Sequence, residues 1–193
     1  MVCVHFLPLY GAIRIRFLDN KEQHDYRFAD ISIPLSDFEK LELPAKNILI
    51  TENKMNFLTL PLVASTIAIW SGGGFNISYL KNATWLLNKK IIYWGDIDEH
   101  GFQILHQLRS YYPHTISVMM DRQTFDLFHT YAVDGSRNKS ESLSLLTNDE
   151  NDLFQFLKSL NKNNRLEQEK IPQVYVDNCL KNGMIETSSD GQS

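Results

Sequence analysis

Cysteine is scarce in this 193-residue chain: Cys3 and Cys179 stand far apart and in no metal-type spacing. That argues against a disulfide framework or a zinc site and fits a reducing cytoplasm. No apolar run reaches membrane-spanning length. The opening MVCVHFLPLYGAI is apolar, but it has neither the basic start nor the small-residue cleavage site of a signal peptide. The expectation is a cytoplasmic protein with no membrane partner. Positive charge is also short, with 19 Lys and Arg against 23 Asp and Glu and a formal net charge of −4. This works against nucleic-acid binding by bulk electrostatics, because phosphate contacts need Lys and Arg. A DNA enzyme stays open, since clustered carboxylates can recruit a divalent cation that meets the phosphate. Any broad basic surface would come from elsewhere. There is no internal repeat and no low-complexity block.

What is present is an ordinary globular composition, 43% hydrophobic and 22% charged, at a length suited to one domain with a core. IRIRFL (13–18) alternates apolar and basic residues, as a strand with one wet face does. RFADISIPL (27–35) is a second strand candidate, and its Pro suggests an edge or an end. SDFEKLEL (36–43) reads as a short helix capped by Ser36, with Glu39 at the capping-box position and Pro44 as its stop. Then a rhythm begins. NILIT (47–51), STIAIWS (65–71), KIIYWG (90–95) and TISVMM (115–120) are short apolar runs rich in β-branched residues. Between and after them lie helix candidates: KMNFLTLPLV (54–63, broken near Pro61), FNISYLKNATWLLN (75–88), HGFQILHQLRSYY (100–112) and QTFDLFHTYAV (123–133). Strands buried on both faces and alternating with helices indicate a parallel sheet in an α/β fold.

After residue 134 the pattern changes. GSRNKSES (135–142) reads as a polar loop. TNDENDLFQFLKSL (147–160) is a helix capped by Thr147 with Glu150 at the box position. NRLEQEKI reads as a charged helical turn or two, with Arg165 and Glu169 as a four-apart ion pair. PQVYVDNCLKNG (172–183) is a final helix and ETSSDGQS a disordered tail. The expected division is a β-rich extension (1–46), a catalytic core (47–134), a helical part of the same domain (135–183) and a tail (184–193).

In an open parallel sheet, ligands gather at the carboxyl ends of the strands. Acids stand there three times: Glu52 after NILIT, Asp96 and Asp98 after IIYWG, and Asp121 after TISVMM. In an extended segment residues i and i+2 share a side, so Asp96 and Asp98 can converge. Like charges that close are costly unless a cation or proton joins them, and Mg²⁺ is the simplest neutraliser. Each acid also has a plainer reading. Asp98 can cap the helix starting near His100, Asp121 the helix near Thr124, and Glu52 can be a solvated loop acid. Capping is favoured for Asp121. His100 is either an assisting residue or an exposed helix-start histidine. The SGGGF run is a weak phosphate nest without the Lys-Ser/Thr of a P-loop, and a tight turn suits it better. Trp70, Trp85 and Trp94 read as core.

A Glu ending one strand and Asp-x-Asp ending a later parallel strand resembles the signature of the Toprim fold of topoisomerases, primases and several nucleases. The ordered set is more specific. TENKMNFLTLP, IWSGGGF, YWGDIDEHGFQILHQLR, a strand ending in MMDR, and RLEQEKI together resemble the C-terminal region of the JetD family, nuclease subunits of the Wadjet plasmid-defence systems. These are similar to the A subunit of topoisomerase VI. The resemblance runs from about Ile13 to about Gly183. It implies a Toprim-type, Rossmann-like sheet of about four parallel strands flanked by helices, with a small N-terminal β extension and C-terminal helices. It implies a Mg²⁺-dependent DNA endonuclease, with Mn²⁺ an alternative ion. Glu52, Asp96 and Asp98 would hold the metal and carry catalysis. Glu52 acting as general base is the open alternative for its role. Asn53, His100, Asp121, Arg165 and Glu167 are candidates for supporting roles.

The implied partners are double-stranded DNA, SMC-like Wadjet subunits, and an N-terminal arm and winged-helix half, absent here, that would supply basic surface. A homodimer is a further allowed arrangement. The expectation is therefore a free-standing C-terminal part, a truncated product or one piece of a split gene. Where relatives of the topoisomerase type carry Lys after the Glu, this chain has Asn53, then Lys54. Two other readings compete. One is a non-catalytic fragment of the same fold that binds a partner. The other is a phosphatase- or receiver-like protein, which the His at position 100 disfavours.

Overall fold

The computed structural model describes residues 11–70, 74–137, 139–140 and 142–185. Cys3, most of the apolar opening, residues 71–73 of the SGGGF run and the expected tail from 186 onward lie outside the described residues. A six-stranded sheet has the order β2-β1-β4-β3-β5-β6. Its strands are β1 (Ala12–Phe17), β2 (Asp30–Pro34), β3 (Asn47–Thr51), β4 (Thr66–Trp70), β5 (Lys90–Trp94) and β6 (Ile116–Ser117). β4, β3, β5 and β6 run parallel, and β1 joins β4 and β2 in antiparallel pairs. This is a mixed α/β architecture of the Rossmann-like kind, with the four parallel strands that the alternating pattern led us to expect. The N-terminal strands are not a separate layer; they extend the same sheet through β1 and β4.

The burial pattern explains the strands. Ile48, Leu49 and Ile50 of β3, Ile67, Ala68 and Ile69 of β4, and Ile91, Tyr93 and Trp94 of β5 have no exposed surface. Consecutive residues buried on both faces are what a sheet covered by helices requires. β1 alternates instead, with Ile13 and Ile15 buried while Arg14 and Arg16 reach the surface and bond to Asp30 and to the end of the helix at Lys54–Thr59.

The helices are α1 (Asn20–Tyr26), α2 (Leu35–Phe38), α3 (Lys54–Thr59), α4 (Glu99–Tyr111), α5 (Arg122–Phe128), α6 (Asn148–Ser159) and α7 (Gln173–Ile185). α6 has the expected capping box between Thr147 and Glu150. Elsewhere the structure corrects the sequence. α2 starts one residue before Ser36 and has no side-chain cap; Ser36 is inside the helix, and Glu39 accepts from Asn82 Nδ2 at 2.9 Å. The helix ends at Phe38, well ahead of Pro44. Residues 75–88 form two 3₁₀ segments, Gly74–Leu80 and Thr84–Asn88, where an α-helix was expected. The reason lies in the spacing. Ile77, Leu80, Ala83 and Leu86 are all fully buried, three residues apart, which is the 3₁₀ repeat. The run 115–120 contributes only Ile116 and Ser117 to the sheet, and Met119 takes a left-handed backbone at φ 55°.

The order of the strands positions the site. From β3 the chain moves to one side for β4, then crosses back to the other side of β3 for β5. The crevice between the carboxyl ends of β3 and β5 is thus a topological switch point, where ligands bind in sheets of this kind. Thr51 is paired with Trp94 across that crevice, so Glu52 and Gly95 leave the sheet side by side.

Candidate functional site

A cavity of about 200 Å³ opens at this switch point, lined by Glu52, Asp96, Asp98, His100, Gly101, Gln103, Ile104, Ser136 and Arg165. The three acids expected to act together therefore line one pocket. Asn53, Asp121 and Glu167 are not among its lining residues.

Each acid is held differently. Glu52 accepts a hydrogen bond from the Tyr93 hydroxyl on the neighbouring strand, and its backbone carbonyl accepts from Trp70 Nε1 at 2.8 Å. Burial pushes the Glu52 carboxyl up to about 7. The Tyr93 bond opposes that rise and nearby Asp96 and Asp98 add to it. Burial, reinforced by the charge of Glu52, holds the Tyr93 phenol well above its ordinary value, so it is the donor. Asp98 Oδ1 caps α4 through Gly101 N at 2.7 Å, so the capping reading of Asp98 is correct. It is not the whole story, because Asp98 Oδ2 lies 3.4 Å from Arg165 Nε. Burial raises the Asp98 carboxyl, with the charge of Asp96 adding to the rise and the Gly101 N–H working against it. Asp96 takes Gln168 N–H at 2.9 Å on Oδ1 and Arg165 Nη2 at 2.8 Å on Oδ2.

Two glycines make this geometry reachable. A Cβ on Gly95 would stand 2.6 Å from Glu52 Oε1, and one on Gly101 would press into the backbone carbonyl of Asp96. The close approach of strand end and helix start thus depends on both residues lacking a side chain.

The segment around RLEQE is the largest departure from expectation. The expected charged helical turn is confined to Gln168–Lys170, a single 3₁₀ turn. Arg165 and Leu166 are extended and lie between two partners. Arg165 exchanges backbone bonds with Val133, and Leu166 with Ile97, the residue between the two aspartates. Arg165 does not pair with Glu169. It pairs with Asp96, Asp98 and, at 3.3 Å, Glu167, while Glu169 accepts from Asn53 Nδ2. Burial alone would lower the Arg165 guanidinium; these acids more than reverse it and raise it.

Gln168 is a residue the sequence reading missed. It is fully buried. Its Nε2 donates to Trp94 O at 2.7 Å and to Thr51 Oγ1 at 3.0 Å, and its Oε1 accepts from Asn53 N at 3.2 Å. One side chain therefore ties the ends of β3 and β5 to the start of α3. Tyr93 was missed as well, although a tyrosine in a buried strand is a usable signal, since its hydroxyl must find a partner.

The remaining candidates have structural posts. Asn53 caps α3 through Met55 N and Asn56 N. Asp121 caps α5 through Thr124 N at 2.7 Å, as favoured. His100 lines the cavity near Asp98. Glu99, between them in sequence, is fully buried and pairs with Arg137 on the far side of the helix start.

Among the described residues, no helix is long and apolar enough to cross a membrane. No curated protein matches the chain. The family described as "Wadjet protein JetD, C-terminal" matches residues 10–180, nearly its whole length. On that match, which takes in both strand ends and the Arg165–Gln168 segment, the chain belongs to the JetD C-terminal family and is a component of the Wadjet system.

Proposed function

We propose that this chain is a metal-dependent DNA endonuclease module of Wadjet plasmid defence, with a Toprim-type acid set of Glu52, Asp96 and Asp98. The observation that carries the reading is the pocket at the β3/β5 switch point, which three carboxylates from neighbouring strand ends line together. The donor set fits a hard cation. All three side chains offer oxygen, the preference of Mg²⁺ and Mn²⁺, and Asp96 and Asp98 already face a single positive charge, the Arg165 guanidinium, which stands in for one. Among the described residues no three His, Cys, Asp or Glu side chains form a ready metal cage. In this reading the ion is therefore held by one or two of the carboxylates together with substrate phosphate, as Mg²⁺ commonly is.

When bound, such an ion supplies Lewis-acid polarisation of the scissile phosphate and steadies the leaving oxygen. The chain's own residues do the rest. Asp96 and Asp98 hold charge at the pocket wall, each with one oxygen pinned by a backbone N–H. Glu52, at about 7, can take up a proton near neutrality, with Tyr93 fixing the direction of its carboxyl. DNA is the substrate in this reading, and SMC-like subunits with the arm and winged-helix half provide basic surface that a chain of net charge −4 lacks.

Calorimetric titration of Mn²⁺ into the chain and into an Asp96→Ala/Asp98→Ala double variant tests the metal site, with folding checked for both. Binding by the parent alone is expected. Nicking or linearisation of supercoiled plasmid with Mg²⁺, in the presence of the Wadjet partners, tests the nuclease. Metal binding without any cutting in the assembled complex would favour a partner-binding module of the same fold, a reading that the neutralising Arg165 contact also suits.

A further inference from the structure

Asp96 and Asp98 share a design. In each, Oδ1 is tied to a backbone N–H, from Gln168 at 2.9 Å and from Gly101 at 2.7 Å. In each, Oδ2 is left for a cation. Both Oδ2 atoms meet the same guanidinium: Arg165 Nη2 and Nε lie 2.8 and 3.2 Å from Asp96 Oδ2, and Nε lies 3.4 Å from Asp98 Oδ2. The backbone of Arg165 is pinned by its bonds to Val133. Its side chain is not enclosed, being 37% exposed, against 7% for Asp98. The guanidinium can therefore leave by rotating about its own side-chain bonds, without moving the segment that carries it.

We propose that Arg165 is an exchangeable counter-ion: its guanidinium fills the one cation place between Asp96 Oδ2 and Asp98 Oδ2, and a divalent ion and Arg165 exclude each other there. The inference rests on the metal-binding reading above. Two nearby carboxylates without a counter-charge repel, so the metal-free fold needs a cation in that place and the chain supplies its own. A competitor carried by the protein lowers the apparent affinity for metal by the fraction of molecules in which the seat is free. A seat nine-tenths occupied by Arg165 thus weakens metal binding about tenfold.

The test uses the full chain, with the metal alone as probe. Mn²⁺ is titrated calorimetrically into the parent, Arg165→Ala and Asp96→Ala/Asp98→Ala, and each is melted with and without Mn²⁺. Arg165→Ala is expected to melt lower than the parent without metal, to gain more from added Mn²⁺, and to bind it about tenfold more tightly. Equal or weaker binding by Arg165→Ala overturns the exchange while leaving the metal site standing, because the parent still binds and the double Asp variant does not. Absence of binding in both parent and Arg165→Ala removes the metal reading and the exchange with it. A measurement on the unaltered chain covers the case in which Arg165→Ala does not fold. The Arg165 Nε–H resonance is followed during Mg²⁺ titration. It is expected to move to the position of a solvent-exposed arginine as the site fills, and a resonance unmoved at saturating Mg²⁺ overturns the proposal.

Discussion

Removing the Gln168 side chain should loosen the site more than any change at its charged neighbours. In Gln168→Ala, Trp94 O and Thr51 Oγ1 lose their donor, and Asn53 N loses its acceptor. Trp94 and Thr51 are fully buried, so water does not readily replace the bonds, whereas Asn53 is half-buried and can recover one. A buried polar group left without a partner costs about 1–3 kcal/mol. Two such groups, with partial relaxation, suggest about 3 kcal/mol. For a chain of this size that is a fall in melting temperature of roughly 6–12 °C. Gln168→Glu should be no milder, because a carboxylate cannot donate to Trp94 O and brings negative charge beside Asp96. Glu169→Ala is the control; it removes an exposed bond to Asn53 and an exposed, long ion pair with Lys170, and should stay within about 0.5 kcal/mol of the parent. Urea unfolding followed by tryptophan fluorescence reads all three. A Gln168→Ala midpoint indistinguishable from that of Glu169→Ala would refute the view that this side chain clamps the strand ends.

Stability should fall as pH rises from about 4.5 towards 7, because folded Glu52 keeps its proton to about 7 while the unfolded chain releases it earlier. Glu52→Gln should flatten that part of the pH profile, as read by urea midpoints across the range. Tyr93→Phe should move the Glu52 titration still higher by removing the bond that favours the charged carboxylate, which carboxyl NMR would detect. Arg109 and Glu150 form a buried, doubly bonded pair. Burial pushes Glu150 up, but bonds from Arg109, Ser117 and Thr147 outweigh it and hold the carboxyl below its ordinary value. Its contribution is therefore full above the ordinary carboxylate range and lost as pH falls through the lowered one. Arg109→Ala should cost about 3–5 kcal/mol in chemical denaturation, since it leaves a buried charge unpaired. Gly101→Ala should destabilise by about 1–3 kcal/mol, through contact with the Asp96 carbonyl, and weaken Mn²⁺ binding in calorimetry.

Much of the sheet was legible because its strands are short, β-branched and bounded by turn residues. Glu52, Asp96 and Asp98 were singled out because acids fall at several strand ends at once; any one of them alone reads as a cap or a loop acid, and Asp98 and Asp121 do cap helices. The segments that misled share a different cause. Residues 77–86 place their apolar side chains three apart, close enough to the α-helical repeat to pass for it, and only packing decides between the two. Around Arg165 the local charge pattern does favour a helix, yet backbone pairing with Val133 and Ile97 draws the chain out straight. Gln168 carried no local signal, because its partners are the ends of two strands more than 70 residues earlier. Ser36 shows the limit of cap motifs: the residue type was right for a cap, but Pro34 turns the chain into the helix first.

The strap that carries Arg165 and Gln168 has a consequence for synthesis. Asp96 and its partner Gln168 are 72 residues apart in the chain. At roughly 5–20 residues per second, a ribosome needs about 4–14 s to go from one to the other. Through that interval every strand of the sheet up to β5 has been made, but the pocket has neither its clamp nor its arginine. The acids are therefore chemically complete and geometrically unset until the last quarter of the chain emerges, so an incomplete chain carries the residues of the site without its shape.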